Sequence, residues 1–186
     1  MTNDVSAGSG SITVAGRLAL GVTLLAFGLG TTGVIDGVAA SDAVTLAHYV
    51  GGVALFLLGL VALRDRDGVG GTGFAALGAL WFTWAVADRA SAEAAGLFLL
   101  LFALVALTLT LAGGDTLGQA VHGLLFLAML LLAVASFAGS SSLAKAGGWV
   151  AVLSGAVAWY AATAALAHWP TALPRRAAGR GVTAAG

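Results

Sequence analysis

The chain has no cysteine, and charge is scarce: eight Lys plus Arg and eight Asp plus Glu make up 9% of 186 residues. Without cysteine there is no disulfide framework and no thiolate metal site, and redox chemistry says nothing of the compartment. A soluble domain carries about 25% charged residues to cover its surface, so water is not the solvent for most of this chain. The formal net charge of +0 offers no basic face, which excludes nucleic acid as a partner. Proline is confined to Pro170 and Pro174, so no ring interrupts a helix before residue 170.

What is present is apolar: 60% hydrophobic residues and 28 glycines. Six stretches, residues 15–37, 43–63, 70–87, 93–112, 117–138 and 143–169, hold almost no charge. A transmembrane helix needs roughly 20 apolar residues to cross a hydrocarbon core about 30 Å thick. The expected fold is an all-α polytopic membrane protein, a six-transmembrane-helix bundle over residues 15–169 whose environment is the lipid bilayer. Residues 1–14, rich in Ser, Gly and Thr with Asp4 as their one charge, are expected to be a disordered cytoplasmic N-terminus. They lack the basic flank of a secretory signal, so the first stretch reads as a retained helix. Residues 170–186, with Arg175, Arg176 and Arg180, are expected to form a disordered basic C-terminal tail.

Orientation follows from where the cations fall. With six crossings, the side that holds both termini carries Arg17, Arg64, Arg66, Arg175, Arg176 and Arg180, and the other side carries Arg89 and Lys145. That bias puts both termini in the cytoplasm of a multi-pass protein of the cytoplasmic (inner) membrane. The runs Arg64-Asp65-Arg66-Asp67 and Asp88-Arg89 with Glu93 read most simply as solvated loop charges.

Helices in lipid associate through small residues that let backbones approach. Gly51, Gly52 and Gly59 mark the second stretch, Gly147, Ala151 and Gly155 the sixth, and Gly33 with Gly37 the end of the first. Such stripes suit a tight bundle and an oligomer interface alike. Trp84, Trp149, Trp159, Tyr160 and Trp169 lie mostly toward helix ends, where aromatic belts form.

Two strings match G-x-G-x-x-G, at residues 28–33 and 68–73, but that fingerprint has mechanical force only between a strand and a helix, and neither has that setting. His48, His122 and His168 are titratable groups in or beside spans, which makes proton relay a hypothesis for them. The blander reading is an interfacial or inter-helix hydrogen bond. No two histidines have the i, i+4 spacing of a zincin helix, so no metal and no other cofactor is expected. No nucleophile lies with a base and an orienting group at assignable positions, so the chain is not expected to be an enzyme.

Residues 51–84 run Gly51-Gly52-Val53-Ala54, then Gly59-Leu60, a charged turn, and Thr72-Gly73-Phe74 with Gly78 and Trp81. The fifth helix opens with Gln119, and the sixth reads Gly148-Trp149, Gly155-Ala156, Ala158 and Tyr160, followed by Leu173-Pro174. This order and spacing resemble the acetate uptake transporter family, the bacterial succinate/acetate permeases and their fungal relatives, from about residue 16 to residue 174. The resemblance implies a six-helix protomer with its own pore, assembled as a homo-oligomer, a hexamer, that passes acetate and similar small monocarboxylates. It places Leu20, Gly21, Leu55, Thr72 and Trp81 along the substrate path. It also places the pore constriction at Leu25 and Leu77, and a leucine of the fifth helix, with Leu131 chosen, is expected to complete it.

The chain departs from that family at the constriction. Family members carry a Phe and a Tyr at the places of Leu25 and Leu77, and Ala75-Ala76-Leu77-Gly78-Ala79 replaces a run richer in hydroxyls. A carboxylate needs donors to replace its hydration, and this lining has few. The leading expectation is membrane transport of acetate or a similar monocarboxylate, proton-linked or channel-like. The alternatives are a urea/amide channel and a non-transporting structural or regulatory membrane protein with a closed pore.

Overall fold

The computed structural model describes residues 4–38, 40–87 and 91–169. In chain order the elements are α1 (Asp4–Thr32), α2 (Ala40–Leu46), a π-helical segment (Ala47–Ala54), α3 (Leu55–Arg64), α4 (Gly68–Val86), α5 (Ala92–Leu111), α6 (Thr116–Ala138) and α7 (Ser141–Leu166). α2, the π segment and α3 are continuous and form the second span, giving six helices long and apolar enough to cross a membrane. No strand occurs among the described residues, so neither glycine fingerprint has a strand before it. The expected tail at 170–186 and the Asp88-Arg89 pair lie outside the described residues.

Helix α1 differs from expectation at both ends. It starts at Asp4, so the described part of residues 1–14 is helical rather than irregular; Ile12 and Val14 extend the apolar run backward and no proline stops it. It ends at Thr32, because Gly33 and Gly37 take the left-handed values φ 64° and 79°, which release a helix into a turn. These two glycines are therefore turn residues and not a packing pair. Nothing lies within 4 Å of where a Cβ would stand on either.

The later helices begin on side-chain caps. Asp67, Ser91, Asp115 and Ser140 accept hydrogen bonds from the backbone N–H of Gly70, Ala94, Gly118 and Leu143, each satisfying one of the donors a helix start leaves open. Short polar joints between long apolar helices are fixed in this way.

The first span packs chiefly against the last, and α5 with α6, α6 with α7 and the second span with α4 complete the bundle. Glycines decide how close these pairs come. A Cβ on Gly28 of α1 would stand 2.7 Å from the carbonyl oxygen of Gly148, and one on Gly155 of α7 would stand 2.8 Å from that of Gly21. Gly21 and Gly28 thus meet Gly155 and Gly148 at the same interval of seven on two antiparallel helices. Between the second span and α4, a Cβ on Gly78 would fall 2.5 Å from the nitrogen of Phe56, and Gly59 lies against the backbone of Ala75. The stripes legible in the sequence are used inside the protomer.

The π segment, in which each turn closes i to i+5, holds Gly51 and Gly52, both buried. Gly51 lies against the Thr23 side chain of α1 and Gly52 against the Phe82 backbone of α4, so two successive residues each make room for a different neighbouring helix.

Candidate functional site

Two cavities enter the bundle from opposite ends. The first, about 230 Å³, lies where α1, α4 and α6 begin and is lined by Thr13, Arg17, Leu20, Asp67, Phe74, Asp115, Val121 and His122, with Gly70, Gly73 and Gly118 as its backbone floor. The second, about 450 Å³, lies at the other end and is lined by Phe27, Thr31, Trp84, Leu99, Leu132, Ser136 and Ser140. A water takes about 30 Å³ of liquid, so each vestibule holds several.

The same three helices line the space between them in matching steps. On α1, Leu20 borders the first vestibule and Phe27 the second; on α4, Phe74 borders the first and Trp81 the central space; on α6, Val121 borders the first and Met129 the central space. Helical spacing of three and four keeps one face in line, which puts Leu24, Leu77 and Leu125 on the level between. All three are fully buried in a single apolar cluster. Above them Phe27 and Phe102 meet Trp81 edge to face, with ring centroids at 5.1 and 5.3 Å. The space bounded by these rings, Leu99 and Met129 leaves no room for a water molecule. The two vestibules are thus separated by a leucine level and an aromatic level.

The buried polar groups near this plug are committed, with one exception. The buried Thr23 hydroxyl donates to the Ala19 carbonyl at 2.8 Å, and the buried Ser154 hydroxyl of α7 reaches across to the Val121 carbonyl of α6 at 2.8 Å. The Trp81 indole nitrogen is the one buried side-chain nitrogen or oxygen among the described residues that has no hydrogen-bond partner. Leaving such a donor unpaired costs roughly 1–3 kcal/mol.

At the mouth of the first vestibule Arg17 of α1 forms an ion pair and hydrogen bond with Asp115, the cap of α6. Arg17 sits seven residues inside its span, about 10 Å along the helix axis, and a charge there needs a partner. The pair also borders a cleft that reaches Leu117, Ala165 and His168. Burial pulls the Asp115 carboxyl upward, but the Gly118 amide and the Arg17 guanidinium outweigh it and hold the carboxyl below its ordinary 3.8. A lowered acid stabilises the folded state above its unfolded pKa, and that contribution is lost as pH falls through the lower folded value. With the Asp115 side chain 53% exposed, the effect is below about 1 kcal/mol. Asp115→Asn should shift thermal unfolding in detergent by a few degrees at most at neutral pH and flatten the loss of stability below about pH 4. Identical acid limbs for the two proteins would put that loss on other carboxylates.

Of the residues the sequence singled out, the structure gathers Leu20, Leu77, Trp81 and His122 along this axis. It turns others away. Leu25 packs against Gly155 of α7, because one residue on a helix is a rotation of about 100°; its neighbour Leu24 takes the inward place. Leu131 is half-buried and borders neither vestibule nor the central space, and Leu125, six residues earlier, holds the inward position on α6. Gly21 serves the α1–α7 contact, Thr72 is exposed, and Leu55 is buried without bordering either vestibule. His48 lies against the rings of Tyr49 and Phe82, both exposed on the outer face, so it is off the axis. The sequence reading missed Leu24, Phe27, Phe74, Phe102, Leu125 and Met129, and it counted Arg17 only for orientation. Steps of three and four from Leu20 and Leu77 would have found the first three, and an arginine inside a span is a signal in itself.

The sequence profile of the GPR1/FUN34/yaaH family matches residues 10–172. No curated protein sequence matches the chain. Among solved structures, the chain is similar to the bacterial acetate channel SatP, with 23% sequence identity and a TM-score of 0.77 over 84% of this chain and 92% of that one. At that identity the likeness extends to the fold.

Proposed function

The chain belongs to the GPR1/FUN34/yaaH family, and from that premise we propose that each protomer conducts acetate or a similar small monocarboxylate between the two vestibules. The observation that carries this reading is the alignment of both vestibules on the inward faces of α1, α4 and α6, with a thin apolar plug between them. The likeness to a structure described as an acetate channel supports the same substrate class. The constriction is Leu24, Leu77 and Leu125, in place of the Leu25 and Leu131 expected from the sequence. A leucine level gates by dewetting and not by coordination, which favours a neutral solute or the protonated acid over a bare carboxylate. We assign both termini to the cytoplasm, on the arginine bias. The assembly is a homo-oligomer, taken as a hexamer from the family resemblance, and native mass spectrometry tests it. The plug also suits urea, which is permanently neutral, so proteoliposome flux with labelled acetate and labelled urea separates the two readings; a closed pore passes neither.

The apolar plug fixes a pH dependence. A carboxylic acid with pKa of roughly 4–5 gains neutral form about tenfold per unit as pH falls above that value. Acetate uptake should rise steeply as external pH drops from about 7.5 to about 5. Replacing His48 and His122 by Gln should leave that slope in place, since His48 is off the axis and His122 borders only the vestibule. A flat profile in the native protein would point to urea or another neutral cargo.

A further inference from the structure

We propose that the indole N–H of Trp81 is the hydrogen-bond donor taken up by the oxygen of a solute as it crosses the plug, and that it favours solutes carrying a carbonyl or carboxyl oxygen. This rests on the pore reading above. Its first ground is the orphaned donor: Trp81 is 2% exposed, and its indole nitrogen has no partner. Buried polar groups are paired in the great majority, and an unpaired one in a folded protein calls for a reason. The second ground is place. Trp81 lines the central space above the leucine level and borders neither vestibule itself. A third is the poverty of the surroundings. Phe27 and Phe102 offer only ring faces and edges, and the Met129 thioether is a weak acceptor. The buried hydroxyls of Thr23 and Ser154 are already spent on carbonyls of α1 and α6. A solute leaving water for this plug therefore meets one buried, uncommitted donor, while the half-buried indole of Trp84 stands at the edge shared with the second vestibule.

An indole N–H donates and never accepts. It matches the carbonyl oxygen of a protonated monocarboxylate, or that of an amide, and offers nothing to an ammonium. One bond to one donor lowers the barrier without trapping the solute, which conduction requires. Trp81 is then a specificity-determining residue as well as a packing one.

Two variants separate these roles. Trp81→Phe removes the N–H and half the ring system. Replacement of Trp81 by benzothienylalanine keeps the bicyclic shape and puts sulfur where the N–H was. Both should lower acetate flux in proteoliposomes three- to tenfold, the range one hydrogen bond commands, while the protein elutes as the native assembly. In the native protein, resonance Raman bands of the indole should report a newly bonded N–H on saturation with acetate at low pH. A benzothienylalanine variant with native or raised flux would overturn the proposal and leave Trp81 a packing residue, with the pore reading intact. Native protein that passes neither acetate nor urea would overturn the pore reading and this inference together.

Discussion

Leu77→Ser should raise acetate flux through the reconstituted protein by tenfold or more. Leu77 is fully buried at the level where neither vestibule reaches, so a solute there loses its hydration against methyl groups alone. Bringing a polar group to such a place without a hydrogen bond costs roughly 1–3 kcal/mol in proteins, and each 1.4 kcal/mol is a factor of ten in rate. A serine hydroxyl supplies a partner and the lost volume admits water. Leu24→Ser and Leu125→Ser should act in the same direction. Leu25→Ser and Leu131→Ser should not, because those side chains point off the axis. Removing a buried leucine also destabilises by roughly 2–5 kcal/mol, so the comparison is made on protein that elutes intact. Equal flux for Leu77→Ser and Leu25→Ser would move the constriction elsewhere.

Gly59→Leu and Gly28→Leu should abolish the folded protomer altogether. A first carbon on Gly59 would land on the backbone of Ala75, and one on Gly28 would stand 2.7 Å from the Gly148 carbonyl and 2.8 Å from the Val152 nitrogen. Backbone does not rotate away as a side chain can. Overpacking in a core costs about 1–3 kcal/mol for a modest insertion, and a leucine here must drive two helices apart along their length. Size-exclusion profiles in detergent should show loss of the monodisperse peak, whereas Gly68→Leu, with nothing within 4 Å of its Cβ position, should keep it. Survival of Gly28→Leu at native stability would mean that the α1–α7 contact is looser than this geometry.

The number of spans and their approximate limits were legible in the sequence because a bilayer imposes a length and a composition at once. Which face of each span looks inward was not. In a soluble helix the polar stripe marks the outside, but α4 and α5 are apolar around their whole circumference, so lipid-facing and path-facing residues look alike. The resemblance to known transporters had to set the register; on α1 it named Leu25, which lies against Gly155, whereas the fully buried side chain is that of its neighbour Leu24. On α4 the landmarks Gly78 and Trp81 sit within four residues of Leu77, which is fully buried. The π segment was likewise invisible, since its residues are those of an ordinary apolar helix; only the consecutive buried glycines hint at it.

The contact between α1 and α7 has a consequence for how the protein is made. From Thr32, where α1 ends, to Ser141, where α7 begins, the ribosome adds about a hundred residues. At roughly 5–20 residues per second that takes on the order of 5 to 20 seconds. Throughout that interval Gly21 and Gly28 lack their α7 partners, and for most of it, until Asp115 is made, Arg17 lies inside a span without its carboxylate. A nascent chain in this condition offers other small-residue helices a ready dock and has a lone cation to hide. Membrane insertion machinery that shelters the first span until the last arrives would find its need written in this one pairing.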